Sequence, residues 1–278
     1  QASTDSTPQI LEHFKNSRIR IVHNKINMGP GQSRDKAIAI AQGKWLAFTD
    51  ADDQWKPQRL KTLLQQTNGS EDLMIFDDLL ECHDTPYGIV PWRLIHGKKA
   101  FGCDGVSTVD VPIEDYVVSK RLVMQPMLPL DLVKKKKINH SYRRFGEDTE
   151  FVLKILSFGI KLHYIPKAMY YYRITPGSAT SMKKRSTMMR EILEQAIIDF
   201  NHAPSVQEAL KKKIAKVIRD EKFMPFVESI KQKKYFDALK TTANNPTFII
   251  FELFKRLGPS IHYNTHRMIH GGRTRGIK

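Results

Sequence analysis

Cysteine is scarce in this sequence, which has only Cys82 and Cys103 among its 278 residues. Two cysteines are too few for a disulfide framework, and these two lack the paired spacing of a zinc site. This cysteine usage is typical of a protein from a reducing compartment. We therefore predict a cytoplasmic location.

The apolar runs of this sequence are all short. The longest ones, such as residues 248–251, are broken by charge well short of the roughly 18 residues that a membrane-spanning helix requires. The opening stretch, QASTDSTPQILEHF, predicts a loop that leads into a helix, and it has no signal-peptide character. We predict that the chain does not cross a bilayer by itself.

Acidic residues are in the minority. The chain has 29 Asp and Glu against 45 Lys and Arg, which gives a net charge of +16. This charge implies anionic partners, and it leaves nucleic acid, a phospholipid surface and phosphorylated small molecules open. Residues 181–278 hold 20 Lys and Arg against 9 Asp and Glu, so this part carries most of the positive charge.

Three acids nevertheless cluster in the stretch AFTDADDQW. Asp50, Asp52 and Asp53 follow an apolar run typical of a buried strand, where like charges repel each other. A bound cation explains them, and Mg²⁺ or Mn²⁺ fits two carboxylates that flank one small residue. Because such ions usually take further ligands from a substrate phosphate, the cluster predicts a diphosphate site.

Two other interpretations of these acids exist. A solvated turn with an acidic helix start at Asp53 also fits a single Asp-x-Asp stretch. A phosphohydrolase with an aspartyl nucleophile places Asp-x-Asp after a strand as well. That enzyme class normally continues with Gly and Thr, whereas Asp53 and Gln54 follow here.

The order of the predicted elements favours an α/β fold. Strands that alternate with helices at short spacing predict a mostly parallel sheet, with ligands at the carboxyl ends of its strands. Residues 83–111 are rich in Gly and Pro and show no clear period, so we predict an irregular segment over the site. The predicted early elements are a helix from Thr7, a strand at 19–24, a helix at 33–42, a strand at 45–49, a helix with Leu60, Leu63 and Leu64 on one face, and a strand in DLMIFDDLLE.

Later segments complete this prediction. GEDTEFVLKILSFG predicts a helix, and KLHYIPKAMYYYRI predicts a strand pair or a strand plus a turn. After Ser181 the pattern changes to long helical segments, so we predict one domain over residues 1–181 and a basic helical extension over residues 182–278.

Charged residues at two predicted helix starts are further candidates. NMGPGQSRDKA predicts a loop into a helix whose backbone N–H groups can face an anion, although it lacks the Gly-Lys-Ser or Gly-Lys-Thr of a Walker loop. Arg34 on the first turn can reach a base or a phosphate, or it is a surface cation. Glu147 and Asp148 open a later helix, where acids also stabilise the N-terminus through the helix dipole.

Four stretches, in this order and at these separations, resemble family 2 of the nucleotide-sugar glycosyltransferases, which have the Rossmann-like GT-A fold. They are ASTDSTPQIL, NMGPGQSRDKAIAIAQGKWLAFTDADDQWKPQRL, GEDTEF and YYYRITPGSAT, and they extend over residues 2–180. Each motif alone is weak evidence, but four in register are specific. The resemblance is closest to bacterial enzymes that build exopolysaccharide, capsule or lipopolysaccharide, including succinoglycan-type transferases.

The resemblance implies roles for the acids and for Arg34. Asp50 is expected near the sugar or ribose of the donor, and Asp52 is expected to bind the metal that bridges the diphosphate. Arg34 matches a position that helps to hold the nucleotide. Glu147 and Asp148 match the family's Glu-Asp pair, with Asp148 expected as the catalytic base.

The last motif implies a wall near the diphosphate or the acceptor, formed by Tyr172 and Arg173.

The chemistry of sugar transfer agrees with the roles implied for the acids, because the leaving diphosphate gains negative charge while a carboxylate removes a proton from the attacking hydroxyl. We therefore predict a single displacement with inversion. The sugar moves from a nucleotide-diphosphate donor to a hydroxyl of a glycan or a lipid-linked acceptor, in cell-surface polysaccharide synthesis.

One departure from the family concerns the beginning of the sequence. The family normally starts one strand, one helix and a second strand earlier, with an acidic pair just before the Ser-Thr-Asp stretch. Here Gln1 stands next to the place of the second acid. We predict that the sequence is a truncated record of a longer protein.

The basic helical part has two interpretations. Lys211, Lys212, Lys213 and Lys216 beside apolar residues, followed by FIIFELFKRLG, suit a surface that lies on anionic lipid. This would place the protein at the inner face of the plasma membrane, whereas ordinary packing of these helices on the first domain is the other interpretation.

A non-catalytic basic protein or degenerate transferase fragment, which binds nucleic acid or membranes, is the alternative function. The chain has no nucleic-acid recognition motif, so nucleic acid is the less favoured partner.

Overall fold

The computed structural model describes residues 2–14, 16–86, 88–174, 185–250 and 252–253. The chain divides into two compact units, the first up to Ile214 and the second from Ala215. The boundary predicted near Ser181 lies outside the described residues. No helix in the described ranges is both long enough and apolar enough to span a membrane.

The first unit combines one sheet with flanking helices. Its helices are α1 (Thr7–His13), α2 (Gly29–Ile40), α3 (Arg59–Gln66), α4 (Ile113–Val118), α5 (Leu130–Lys135), α6 (Glu147–Leu156) and α7 (Arg185–Asp199). Its strands are β1 (Trp45–Ala47), β2 (Gln54–Trp55), β3 (Leu73–Thr85), β4 (Gly88–Leu94), β5 (Val109–Val111), β6 (Met127–Pro129) and β7 (Lys161–Arg173). Helix α8 (Pro204–Lys231) continues into the second unit, which also contains α9 (Tyr235–Asn244).

The sheet is mixed, with the strand order β1-β6-β3-β7-β2, while β4 pairs with β3 and β5 pairs with β7. Only the central β3–β7 pair is parallel among the described strand pairs. The prediction of an α/β sheet with flanking helices is therefore confirmed, but the prediction that most pairs are parallel is wrong. The reason is that β6 lies between β1 and β3, antiparallel to both.

Two further local predictions are wrong. Residues 19–24 form no strand, since a strand needs a pairing partner and none lies beside them in the described part of the chain. Residues 83–111 are not irregular, because they contain the end of β3, all of β4 and β5, and the 3₁₀ turn Ala100–Gly102. β4 folds back on β3 as a hairpin, so the Gly and Pro residues of this segment mark turns and a bulge rather than a long loop.

The core lies on both sides of β3, whose Met74, Ile75 and Phe76 are fully buried. Helix α3 covers one side through Leu63, which packs with Ile75, Met127, Ile165 and Met169. Leu60 and Leu64 of the same helix are 41% and 46% exposed, so the predicted apolar face of α3 is narrower than expected.

Two glycines allow neighbouring helices and loops to pack closely. Gly31 of α2 packs so tightly that an added Cβ would lie 2.8 Å from Cβ of His140 and 3.2 Å from Cγ of Glu147. Gly146, just before α6, has φ +77°, a left-handed conformation that glycine adopts at little cost. A Cβ on Gly146 would also lie 2.6 Å from Cδ1 of Ile192 on α7.

Candidate functional site

The acidic turn that follows β1 lies beside the carboxyl end of β7. Strand β2, directly after the turn, pairs antiparallel with β7 and places Gln54 opposite Tyr171 and Trp55 opposite Tyr170. The turn is closed by a hydrogen bond from the Asp53 N–H to the Asp50 carbonyl at 3.1 Å. Pairing of β2 with β7 therefore brings the Asp-Ala-Asp-Asp turn to one end of the sheet.

Arg34 connects this turn to the start of α6. Its guanidinium donates from Nη2 to Oδ1 of Asp50 at 2.5 Å and from Nη1 to Oε1 of Glu147 at 3.1 Å. The fork of donors in a guanidinium suits two carboxylates at once. Burial acts to lower the pKa of Arg34, but the Asp50 and Glu147 carboxylates outweigh it and raise that pKa. Three residues that lie far apart in sequence thus form one cluster.

Glu147 and Asp148 have different environments although they are neighbours. Glu147 is buried, and burial together with the Asp148 carboxylate raises its pKa, against the opposing effect of Arg34. Asp148 is only half-buried, and its Oδ1 accepts the Thr149 N–H at 2.7 Å. Asp148 and Arg34 line the same small cavity of about 10 Å³. Glu147 is therefore fixed by Arg34, whereas Asp148 is reachable from this cavity.

Asp53 is bound to β7 through two hydrogen bonds. It accepts the Tyr170 hydroxyl at 2.6 Å and the Arg173 N–H at 2.8 Å. Burial raises its pKa to about 6, with a smaller contribution from the Asp50 and Asp52 carboxylates. Asp53 thus ties the acidic turn to β7, and it is not the start of a helix, since β2 follows it.

Tyr172 lies among the acids from both sides of the site. Burial and, to a smaller extent, the carboxylates of Asp148, Asp53, Asp50 and Asp52, in that order, together raise its pKa to about 12. Tyr172 is therefore within electrostatic range both of Asp148 at the start of α6 and of all three acids of the turn.

The Arg173 side chain forms its hydrogen bonds with β3 rather than with the acidic turn. Its guanidinium donates to both carboxylate oxygens of Asp84 on β3, at 3.1 and 2.6 Å. Only its backbone N–H reaches Asp53. The wall expected at Tyr172 and Arg173 thus consists of the Tyr172 side chain and the Arg173 main chain, with the Arg173 guanidinium on the neighbouring strand.

Sequence reasoning missed two residues of the site. Gln125, which is 7% exposed, donates from Nε2 to Oδ2 of Asp50 at 3.5 Å. The Tyr170 hydroxyl contacts Asp53, and it also lies 3.4 Å from the Asp50 nitrogen. The period-2 pattern of β7 puts Tyr170 on the same face as Tyr172 and was a usable signal, whereas the stretch around Gln125 carried none.

The acids of the turn fit one kind of metal site. Among the described residues no group of three or more His, Cys, Asp or Glu side chains is placed to hold a metal ion. The half-buried Asp50 and the exposed Asp52 offer hard oxygen donors, which suit Mg²⁺ or Mn²⁺ bound through one or two carboxylates and completed by substrate phosphates and water.

Comparisons with known proteins show which enzymes this chain is similar to. The sequence profile described as Glycosyl transferase family 2 matches residues 1–90. The succinoglycan biosynthesis protein ExoO of Rhizobium meliloti is 22% identical over 96% of this chain and 78% of its own length. The Escherichia coli UDP-Glc:alpha-D-GlcNAc-diphosphoundecaprenol beta-1,3-glucosyltransferase WfaP is 27% identical over 72% of this chain and 74% of its own length.

The fold also matches solved structures. S. aureus TarS 1–349, crystallised in complex with UDP-GlcNAc, superposes with a TM-score of 0.60 at 18% identity, over 89% of this chain and 70% of that chain. Identity this low shows the fold alone. The profile, the curated relatives and the fold agree on one assignment. The chain is a glycosyltransferase with the GT-A fold, and its residues 1–90 match the model of glycosyltransferase family 2.

Proposed function

We propose that this protein is an inverting, divalent-metal-dependent glycosyltransferase that moves a sugar from a nucleotide diphosphate to a hydroxyl of a glycan. The observation that carries the proposal is the Arg34 bridge between Asp50 and Glu147, with Asp148 beside it. This bridge brings the acids suited to a donor diphosphate next to a carboxylate suited to a general base.

The donor side of the reaction uses the acidic turn. Asp52 and Asp50 would hold Mg²⁺ or Mn²⁺, which neutralises the charge that the leaving diphosphate gains. Arg34 orients Asp50 and adds positive charge at the same place, and the Arg173 main chain fixes the turn through Asp53. TarS was crystallised with UDP-GlcNAc, which supports a nucleotide-sugar donor for this related fold.

The acceptor side uses Asp148. Its carboxylate takes the proton of the attacking hydroxyl as the new glycosidic bond forms, and the electrons of the breaking sugar–phosphate bond leave with the diphosphate. One displacement of this kind inverts the anomeric carbon. Glu147 acts as a positioning residue, because its buried carboxylate holds Arg34 at the start of α6.

The names of two relatives support a proposal for the acceptor and the location. ExoO is named for succinoglycan biosynthesis, and the name of WfaP specifies an acceptor linked to diphosphoundecaprenol. By analogy we assign to this chain a lipid-linked saccharide acceptor, a role in cell-surface polysaccharide synthesis, and a cytoplasmic site at the inner face of the membrane. The alternative of a non-catalytic nucleic-acid-binding protein has no observation in its favour among the described residues.

Donor turnover with purified full-length chain tests this proposal. Hydrolysis of UDP-glucose and UDP-GlcNAc is measured with Mn²⁺ and after chelation, together with the Kd for UDP. We expect Asp52→Asn to lower turnover at least 100-fold and to weaken Mn²⁺-dependent UDP binding, because it removes a metal ligand. Asp148→Asn is expected to lower turnover 10²–10⁴-fold while the Kd for UDP stays within about twofold, because the base acts on the acceptor side.

Asp131→Asn is the matched control for both variants. Asp131 is an exposed aspartate on α5 that pairs only with Lys135 four residues later. Unchanged turnover in Asp52→Asn or Asp148→Asn would refute the assigned roles. No binding of UDP by the wild-type chain would refute the proposed function itself.

A further inference from the structure

Strand β4 contains a bulge that displays one tryptophan. The β3–β4 ladder pairs Glu81 with Arg93 and Cys82 with Pro91, so Trp92 is an extra residue without a partner in the ladder. Bulges of this kind re-aim a side chain and occur often beside active sites. Trp92 is 67% exposed, and its ring meets the edge of the His83 ring at a centroid distance of 5.8 Å. The bulge therefore holds an indole toward solvent in a defined orientation.

This indole lies on the sheet face that carries the candidate site. Tyr172 of β7 pairs directly with Glu81 of β3, and Glu81 pairs directly with Arg93 of β4. Directly opposed residues project to the same face of a sheet, so Tyr172, Glu81 and Arg93 share one face. Trp92 contacts His83, which lies two residues after Glu81 on β3 and therefore on the same face. Since neighbouring strands lie about 4.8 Å apart, the bulge is about 10 Å from Tyr172, measured across two strands. A saccharide chain that binds at Tyr172 and extends across β3 toward β4 thus reaches Trp92.

The same surface has an excess of positive charge. Arg93 and Arg121 both pair with the one carboxylate of Glu81, whose side chain is 3% exposed, while the two arginine side chains are 48% and 35% exposed. Burial acts to raise the pKa of Glu81, but the two guanidinium groups outweigh it and lower that pKa, so Glu81 is ionised. One carboxylate between two guanidinium groups leaves one positive charge uncompensated, next to an exposed aromatic ring.

We propose that Trp92, Arg93 and Arg121 form an acceptor platform that binds a negatively charged saccharide chain. A sugar ring stacks on the indole of Trp92, and an anionic group of the chain lies near the two guanidinium groups. Aromatic side chains bind amphipathic rings through their faces, and guanidinium groups bind carboxylate or phosphate through paired donors. The inference rests on the proposed function, because it takes the acceptor to be the molecule that extends from Asp148 past Tyr172.

Titration with defined oligosaccharides tests the platform in the full-length chain. The probes are tetragalacturonate, which is acidic, and cellotetraose, which is neutral, and binding is followed by ligand-observed NMR. We expect tetragalacturonate to bind more tightly than cellotetraose. Trp92→Ala is expected to raise both dissociation constants at least tenfold, whereas Trp92→Phe raises them less than threefold because a flat ring remains. Arg93→Gln is expected to weaken only the binding of tetragalacturonate.

Phe236→Ala is the matched control, since Phe236 on α9 is also an exposed aromatic residue, at 80% exposure. The platform is refuted if wild type binds neither oligosaccharide, if Trp92→Ala binds as wild type does, or if a single-stranded DNA oligomer displaces tetragalacturonate at lower concentration. Titration with UDP and Mn²⁺ in the same samples separates this failure from that of the proposed function. Wild type that binds UDP but no oligosaccharide refutes the platform alone.

Discussion

His140 shows how a single residue supports the site without taking part in the chemistry. Its Nδ1 lies 2.6 Å from Oδ1 of Asp35 on α2, and its ring stacks on Phe151 of α6 with centroids 4.0 Å apart. The groups that face it are Asp35, Arg34 and Asp148. Burial lowers the pKa of His140, although Asp35 opposes this effect. His140 thus joins the two helices that carry Arg34 and Asp148.

The lowered pKa makes the contribution of His140 to stability dependent on pH. Below about pH 6.5, the pKa of a free histidine, the unfolded chain takes up a proton more readily than the folded chain does. This contribution is therefore complete above that pH and is lost as the pH falls through the pKa of the folded protein. We expect His140→Asn to lower the free energy of unfolding more at pH 7.5 than at pH 5, as measured by urea denaturation.

The exposed His13 provides the control, because His13→Asn leaves the packing around Asp35 and Phe151 intact. A destabilisation by His140→Asn that is equal at both pH values would contradict the explanation. A destabilisation that grows toward low pH would contradict it more strongly.

At the scale of single residues the sequence was most informative where charge was out of place. Asp50 and Asp52 were identified because acids at a strand end need a reason in a basic chain, whereas Glu147 and Asp148 were identified through the family resemblance. Gln125 was not identified, because an uncharged side chain becomes part of the site only through long-range packing. The roles assigned to all these residues stay predictions until the variants are measured.

Among the elements, α2 depends on one close contact. Gly31 lies where an added Cβ would be 2.8 Å from Cβ of His140, a distance that side chains do not reach without displacement. Alanine inside a helix is normally better than glycine by about 1 kcal/mol. At this position we expect overpacking to dominate, so that Gly31→Ala lowers the free energy of unfolding by about 1–3 kcal/mol.

Urea denaturation of Gly31→Ala beside Gly43→Ala measures this effect. Gly43 lies in the turn after α2, and a Cβ there would come no closer than 3.4 Å to the carbonyl oxygen of Trp45. Equal stability of the two variants would show that α2 has room to move. We also expect Gly31→Ala to lower donor turnover, because it shifts the helix that carries Arg34.

Element prediction succeeded where local pattern and tertiary partners agree. Helices α1, α2, α3 and α6 and the long strand β3 begin and end within a few residues of their predicted bounds. Residues 19–24 have the alternating pattern of a strand. No strand lies beside them in the described part of the chain, so they form no strand hydrogen bonds. Strand β7 was predicted as a strand pair or a strand plus a turn, but it is one strand. Pro166 and Lys167 are accommodated by a shift of register opposite Asp77 and Asp78.

At the scale of the whole molecule, the positive charge of the C-terminal part is distributed in a way the sequence did not show. Lys213, one of the lysines assigned to a lipid-facing surface, is buried and donates from Nζ to the Ser119 carbonyl at 2.5 Å. Lys213 and Ser119 both belong to the first unit, so this part of α8 packs within that unit. Within the second unit, Tyr235, Phe236 and Leu239 of α9 are 59%, 80% and 67% exposed.

We expect α9 to be the stronger site of membrane binding. Lysines 231, 233, 234 and 240 border its exposed apolar residues, and each cation near an anionic surface contributes about 1 kcal/mol. Binding of the full-length chain to phosphatidylglycerol-containing vesicles is expected to fall at least fivefold in the double variant Phe236→Glu, Leu239→Glu. Sedimentation with these vesicles, and with vesicles of phosphatidylcholine alone, measures this.

Val106→Glu serves as the control, since Val106 is 78% exposed but lies in the loop before β5 of the first unit. Equal vesicle binding by the double variant and the wild type would exclude α9 from the membrane surface. The prediction of a domain boundary near Ser181 stays a prediction.

The buried pair of Arg59 and Asp77 restricts how this fold can change over generations. Arg59 on α3 donates to Asp77 on β3 at 2.8 and 2.9 Å and also to the Gln125 carbonyl, while Asp77 accepts the Met169 N–H at 3.1 Å. Losing either partner leaves a lone charge in the interior, which typically costs about 3–5 kcal/mol. A lineage can therefore replace these two residues only together, so homologous sequences should covary at both positions or keep both.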